Sequence, residues 1–249
     1  MTKKKTLTDE DKQELDESVD TWKQRLAERY GDWQQTYTGV KFHPLDPRPE
    51  DFKLEDIAHA LSMLCRFNGH SKYFYSVAQH SVLASRYAEI EVETTFDAAG
   101  HVHIDYYEIE EEFDKAVELV FQRCRLDAAR WGLFHDAAEA YLSDVPRPLK
   151  RTDEMAWYRL LETKMSAMIG DVFGLGPMDD IIHTVDARLL LTEKRDLMCE
   201  PPADWMVPGE PYADKIECWT PWTAKLQFLK RFDELSQRHL LLLAKEQGK

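Results

Sequence analysis

Cysteine is scarce in this chain, and what there is does not pair up. Cys65, Cys124, Cys199 and Cys218 are the four cysteines among 249 residues, and none of them forms a CxxC spacing. Neither a thiolate zinc site nor a disulfide framework is indicated, and the expectation is four reduced thiols in a cytoplasmic protein. Long apolar runs are missing too. No stretch approaches the roughly 20 residues that a membrane-spanning helix requires. Positive charge is in deficit, with a formal net charge of -14. That balance argues against binding nucleic-acid polymers or anionic membranes, both of which need basic surface. A small anionic substrate stays open, provided a local basic pocket overcomes the global field. The basic start Met1-Thr2-Lys3-Lys4-Lys5 runs into Asp9, Glu10 and Asp11 rather than an apolar stretch, so it does not read as a secretory signal. Internal repeats, low-complexity tracts and an obvious linker are absent. With 43% hydrophobic residues to build a core, a single, mostly helical domain is expected.

What is present is helical periodicity. Leu15, Val19, Trp22 and Leu26 recur at helix spacing between Thr8 and Gly31 and predict a first helix, charged on its other face, as an extension over residues 1–35. A short β-like pattern follows around Gly39, then a proline-rich link through Pro44, Pro47 and Pro49. Further helices are predicted over 55–65, 76–89, 111–124, 127–142, 153–169, 179–198 and 222–246, with Ser76 capping the second and Thr220-Pro221 opening the last. Residues 90–107 alternate in places (Val102, Ile104 and Tyr106 against His101, His103 and Asp105), which predicts a small β-hairpin. The segment 200–221, with Pro201, Pro202, Pro208, Pro211, Trp205 and Trp219, is a long loop of the kind that forms lids or partner contacts.

The chemistry sits in Leu133-Phe134-His135-Asp136-Ala137-Ala138-Glu139-Ala140-Tyr141-Leu142, where His135, Asp136 and Glu139 interrupt an apolar stretch. Taking a carboxylate out of water is costly unless it is paired, and a divalent cation pairs readily with an adjacent His-Asp. Glu139 lies four residues after His135, so one helix face would hold both. Asp144 follows just before Pro146. A carboxylate close to an ion but not bound to it can hold a water or move a proton, although a helix-surface charge and a turn aspartate explain this pair equally well. His80, in Val77-Ala78-Gln79-His80-Ser81-Val82, falls on the core-facing side of its helix. Alone it would read as a core histidine bonded to a carbonyl; the His135-Asp136 pair makes it a candidate ligand. Asp186 stands among Ile182, Val185, Leu189 and Leu190 and needs a counter-charge, either the metal or an arginine such as Arg188. Arg66 suits a phosphate through bidentate hydrogen bonds, Phe67 beside it could stack on a base, and Lys150 is a second phosphate candidate, with ordinary surface charge the alternative for both cations. His101-x-His103 is a weaker clip with no third ligand in sight, and His43, His59, His183 and His239 read as structural.

The order His80…His135-Asp136…Asp186 is that of the HD-domain phosphohydrolases. The run from Phe134 to Lys150 resembles the HD-domain 5′-deoxynucleotidases, in which HD-A-x-E is followed by an Asp-aliphatic-Pro-x-Pro-x-Lys string. The similarity is greatest to phage and prophage forms, through Cys65-Arg66-Phe67, Gly69-His70, Phe74 to His80 and Thr192 to Leu197. It spans about Tyr37 to Leu235. The resemblance implies an all-α HD-domain helical bundle over 36–249, with an acidic insertion at about 90–112 carrying the hairpin and the N-terminal helix added in front. It implies one divalent ion (Mn, Co, Fe, Zn, Ni or Mg) on His80, His135, Asp136 and Asp186, catalytic Glu139 and Asp144, and substrate contacts from Arg66, Phe67 and Lys150. The implied activity is release of phosphate from deoxynucleoside monophosphates by a homo-oligomer. Alternatives are a phage-type deoxynucleoside triphosphate triphosphohydrolase with the same metal set, and a non-catalytic nucleotide sensor.

Overall fold

A computed structural model describes residues 29–99 and 110–247. It is mostly helical, with one small antiparallel sheet. The sheet pairs β1 (Gln34–Gln35) with β2 (Lys41–Phe42), Gln34 opposite Phe42. Gly39, at φ 88°, makes the turn between them, in the left-handed region where a Cβ is penalised. Five long helices follow: α1 (Leu54–Met63), α2 (Val77–Ala99), α3 (Glu110–Phe134), then α6 (Ala156–Val172) and α7 (Ile181–Leu197) after two single turns, α4 (Glu139–Leu142) and α5 (Arg147–Lys150). A sixth, α8 (Pro221–Glu246), closes the chain. Among the described residues no helix is long and apolar enough to cross a membrane.

Two of the predicted caps form. Ser76 Oγ accepts from Gln79 N at 3.1 Å at the start of α2, and Thr220 Oγ1 accepts from Thr223 N at 3.1 Å, with Pro221 in the first helical position of α8. One core gathers Phe42, Ile57, Leu61, Val82, Leu133, Phe134, Met165, Ile169 and Phe228 from α1, α2, α3, α6, α8 and the sheet. Each fully buried leucine or phenylalanine there contributes about 1.5–3 kcal/mol. A second cluster packs α7, through Ile182, Val185 and Leu189, against Ala84, Ala88, Ala128 and Trp131.

Helix α2 lies along α3, and Gly132 is the reason it comes so close. A Cβ at residue 132 would stand 2.7 Å from Ser85 Cα and 2.8 Å from the Ala84 carbonyl carbon and oxygen. Only a residue without a side chain allows this approach, which sets His135 beside His80.

Three expectations are corrected. Residues 90–99 are not a hairpin strand; they prolong α2 to Ala99. Nothing between Ile90 and Ala99 breaks a helix, and the alternation that suggested a strand belongs to residues 101–106, which, with His101 and His103, lie outside the described residues. The helices predicted over 111–124 and 127–142 are one helix to Phe134, since Arg125 and Leu126 carry no stop signal. The His-Asp pair then sits beyond that helix rather than on it. Ala137 N bonds Phe134 O at 2.9 Å, Glu139 N bonds Asp136 O at 3.0 Å and Ala140 N bonds Ala137 O at 3.2 Å, a tightened turn of three-residue spacing. The Gly132 carbonyl, which a continuing helix would reserve for the Asp136 N–H, accepts from His135 Nδ1 at 2.9 Å. The first predicted helix lies, up to residue 28, outside the described residues.

Candidate metal centre

Ligand atoms of His80, His135 and Asp186 lie within 4.8 Å of one another, and Asp136 Oδ2 stands beside the two histidines. His80 comes from α2, His135 and Asp136 from the turn after α3, and Asp186 from α7. His80 Nε2 is 3.1 Å from His135 Nε2, 3.4 Å from Asp186 Oδ1 and 3.6 Å from Asp136 Oδ2. His135 Nε2 is 3.2 Å from Asp136 Oδ2. Ligands bound at about 2.1 Å to one ion stand about 3.0 Å apart at right angles and about 3.4 Å apart at the tetrahedral angle. The pairs His80–His135, His80–Asp186 and His135–Asp136 are spaced as neighbours on one cation would be.

The hydrogen bonds behind the rings leave both Nε2 atoms facing the cluster, where His80 Nε2 can carry a proton toward Asp186 or meet a cation. His80 Nδ1 stands 2.6 Å from Glu193 Oε1, and His135 Nδ1 stands 2.9 Å from the Gly132 carbonyl. A carbonyl and an ionised carboxylate only accept, so both Nδ1 atoms carry the proton. In neutral rings the two Nε2 lone pairs then point at each other and at two carboxylates, with no donor among them. A metal ligated through Nε2, with Nδ1–H fixed by an outer partner, has this arrangement.

The ionisation of the cluster follows from its surroundings. Burial pushes the Asp136 carboxyl up, but His135, His80 and Arg66 beside it outweigh that and hold it well below the usual carboxylate range. Asp186 is lowered likewise, its burial overcome by the bond and charge of His80. Burial and the Arg66 charge press His80 down, while Glu193 and Asp186 raise it from its ordinary 6.5 to about 9. Glu139 goes the other way. Burial, then the charges of Asp136 and Asp144, lift it far above the carboxylate range, and its Oε2 has no hydrogen-bond partner. Asp144 is also raised, by burial first, against the pull of Arg66. One carboxyl held ionised and another held protonated side by side is the pattern of an acid–base site.

His80 couples the stability of the fold to pH. Its folded pKa is raised, so its stabilisation is complete below about 6.5 and disappears as pH climbs through about 9; for this fully buried ring it is roughly 3 kcal/mol. Thermal melts of chelator-treated protein are expected to fall between about pH 6 and about pH 10 by the equivalent of that amount. A divalent ion competes with the proton at Nε2, so the rise in melting temperature on adding metal should grow over the same window. Equal metal-induced shifts at both ends would contradict this.

Arg66 is 9% exposed. It is delivered by a two-stranded bridge, Arg66 N to Tyr75 O at 2.9 Å and Val77 N to Leu64 O at 3.1 Å, just ahead of α2. All three of its guanidinium nitrogens have partners: Nε and Nη2 reach Glu193 Oε2 at 3.2 and 3.1 Å, and Nη1 reaches Asp136 Oδ2 at 3.4 Å. Lys150 bonds Glu162 Oε1 at 2.7 Å and lies 3.5 Å from Glu139 Oε1. Burial opposes its charge, yet the Glu162 bond and the Glu139 charge raise its pKa. Phe67 is half-buried, its ring 5.6 Å from the Arg66 guanidinium and 6.1 Å from the Trp205 ring on the 200–221 loop. Phe67 and Asn68 have φ of 57° and 51°, and Ser143, just before Asp144, has 74°. Left-handed backbone at a non-glycine residue is costly and gathers at working sites.

Asp186 does meet an arginine, but not Arg188, which pairs with Glu91. Arg147 Nη2 bonds Asp186 Oδ2 at 2.6 Å. Of the remaining histidines, His43 bonds the Gly31 carbonyl at 3.2 Å and His59 stacks on Tyr37. Sequence reasoning missed two residues of the site, Glu193 and Arg147. Glu193 is fully buried, holds both His80 and Arg66, and stays ionised because those cations outweigh its burial. It lies seven residues after Asp186 on α7, two turns along the same face, and that spacing was the signal for it.

No family model matches the chain. The uncharacterized protein YfdR of Escherichia coli (strain K12) is 33% identical over 207 residues, covering 82% of this chain and 95% of that protein. The uncharacterized protein RCAP_rcc00048 of Rhodobacter capsulatus is 32% identical over 167 residues, covering 63% of this chain and 70% of its own.

Proposed function

We propose that this chain, which belongs to the same family as Escherichia coli YfdR, is a metal-dependent phosphohydrolase of the HD-domain type acting on deoxynucleotides. Its expected reaction is release of phosphate from deoxynucleoside 5′-monophosphates. The observation that carries this reading is the convergence of two imidazole lone pairs and two carboxylate oxygens, 3.1 to 3.6 Å from one another along the contacts of His80 and His135. A divalent cation held by His80, His135, Asp136 and Asp186 would supply Lewis-acid charge neutralisation for phosphoryl transfer.

The chain's own groups supply the rest. Asp144, half-buried beside the cluster, orients the attacking water. Glu139, kept protonated by burial and by its anionic neighbours, gives its proton to the leaving oxygen and is reprotonated by the proton that the attacking water releases. Lys150, 3.5 Å from Glu139 Oε1, limits how far that pKa rises. Phe67 and Trp205, with ring centroids 6.1 Å apart, offer a stacking surface for the base, the sequence-tolerant way proteins hold a nucleobase.

Two experiments test the reading. The mono- and triphosphates of all four deoxynucleosides are incubated with Mg, Mn and Co and the products identified. Phosphate plus nucleoside supports it; triphosphate plus nucleoside reassigns the leaving group; tight nucleotide binding with no turnover in any metal leaves a sensor. Glu139→Gln should retain metal but lose at least about 100-fold in kcat, the usual scale of acid–base help. Wild-type turnover in that variant would remove Glu139 from the reaction.

A further inference from the structure

We propose that Arg147 is the arginine that grips the substrate phosphate, a role that rests on the phosphohydrolase reading above. Arg66 is poorly placed to serve alone. Three of its nitrogens are taken by Glu193 and Asp136. Turning it toward a ligand would leave fully buried Glu193 without its guanidinium, and an uncompensated buried charge is strongly destabilising. Lys150 lies between Glu162 and Glu139 and offsets both.

Arg147 is placed differently. Its side chain is 43% exposed, and among the described residues its ion pair is with Asp186 alone. That bond uses Nη2 and the outer oxygen Oδ2, while the inner oxygen Oδ1 faces His80 at 3.4 Å. The guanidinium therefore stands one carboxylate away from the point where the four acceptors converge, on its solvent side. A guanidinium has five N–H donors in a planar fork, and one bond to Asp186 leaves most of them for a phosphate oxygen pair.

The backbone holds the fork in place. Arg147 sits between Pro146 and Pro148, in a turn closed by Leu149 N and Lys150 N, both 2.9 Å from Pro146 O. A pre-set backbone lowers the entropy lost when a ligand is gripped. The location matters all the more in a chain of net charge -14, where an approaching phosphate meets repulsion nearly everywhere else.

The test is calorimetric, on the full chain, with Mn and inorganic phosphate as the probes. Wild type, Arg147→Ala and Arg147→Lys are first titrated with Mn, then the Mn-loaded proteins with phosphate. Loss of a charge-assisted bond predicts about 10- to 100-fold weaker phosphate binding in Arg147→Ala, with Mn affinity within about threefold of wild type, since the four acceptors remain. Arg147→Lys should recover part of the loss. Unchanged phosphate affinity, or a fall in Mn affinity that by itself accounts for weaker phosphate binding, would overturn the proposal and make Arg147 a support for Asp186. Wild type that binds no divalent ion would instead overturn the phosphohydrolase reading and this proposal with it.

Discussion

Asp136→Ala is expected to bind no divalent metal measurably and to have no turnover. Asp136 Oδ2 lies 3.2 Å from His135 Nε2 and 3.6 Å from His80 Nε2, so its removal takes away a ligand and the charge that makes the point attractive to a cation. It also removes a counter-charge of Arg66, 3.4 Å away, so the alanine variant is expected to be less stable too. Asp136→Asn separates the two effects. The amide keeps the shape and can still accept from Arg66, so it should melt above the alanine variant, though below chelated wild type because the charge that His135, His80 and Arg66 favour is gone, while metal binding is lost. Metal content after dialysis, calorimetric titration and product assays check both variants. An asparagine variant with wild-type turnover would remove the cation from the mechanism.

Glu193→Ala should be the most destabilising single change at the site. Glu193 is fully buried and answers two cationic partners, His80 through Oε1 at 2.6 Å and Arg66 through Oε2 at 3.1 Å. Removing one member of a buried pair costs about 3–5 kcal/mol, because the remaining charge is stranded. For a domain of this size that lowers the melting temperature on the order of 10 °C. The metal should suffer as well, since His80 Nδ1 loses the acceptor that fixes its tautomer; losses of an outer partner of this kind run about 10- to 100-fold in affinity. Glu193→Gln keeps the volume and one acceptor oxygen, which serves His80 or Arg66 but not both, and should fall between the alanine variant and wild type in both properties. Thermal melts in chelator and a Mn titration measure the two effects separately. An alanine variant that melts within about 2 °C of wild type would show that the buried triad contributes little.

The residues that converge at the site were readable because each breaks an apolar stretch. His80, His135, Asp136 and Asp186 stand where their neighbours are core residues; the structure groups His80, His135 and Asp186 and sets Asp136 against the two histidines. The predominance of helix was readable from periodicity, as were the capping roles of Ser76 and Thr220. What could not be read was set by contacts between distant segments. Periodicity could not reveal that the helix before His135 stops at Phe134, because that end depends on the His135 ring bonding the Gly132 carbonyl. The same periodicity placed Glu139 on the dyad's helix face, whereas a tightened turn presents it. Arg66 was expected as a phosphate contact or an ordinary surface charge, but Glu193 lies 127 residues away in sequence and only the fold reveals that it occupies the guanidinium. The hairpin prediction over 90–107 went wrong at 90–99 because local alternation farther along was allowed to outweigh an unbroken helical run.

The missing methyl group at Gly132 bears on which ions the protein would accept. Two imidazoles are mounted on neighbouring segments with bare backbone between α2 and α3, so the gap between their nitrogens behaves like a fixed gauge rather than a flexible jaw. Small transition ions with bonds of about 2.0–2.2 Å span such an opening. Calcium wants six to eight oxygens at about 2.3–2.6 Å, and this opening meets it with two nitrogens 3.1 Å apart. Ligand type and number would thus disfavour the larger ion, even though its charge is the same.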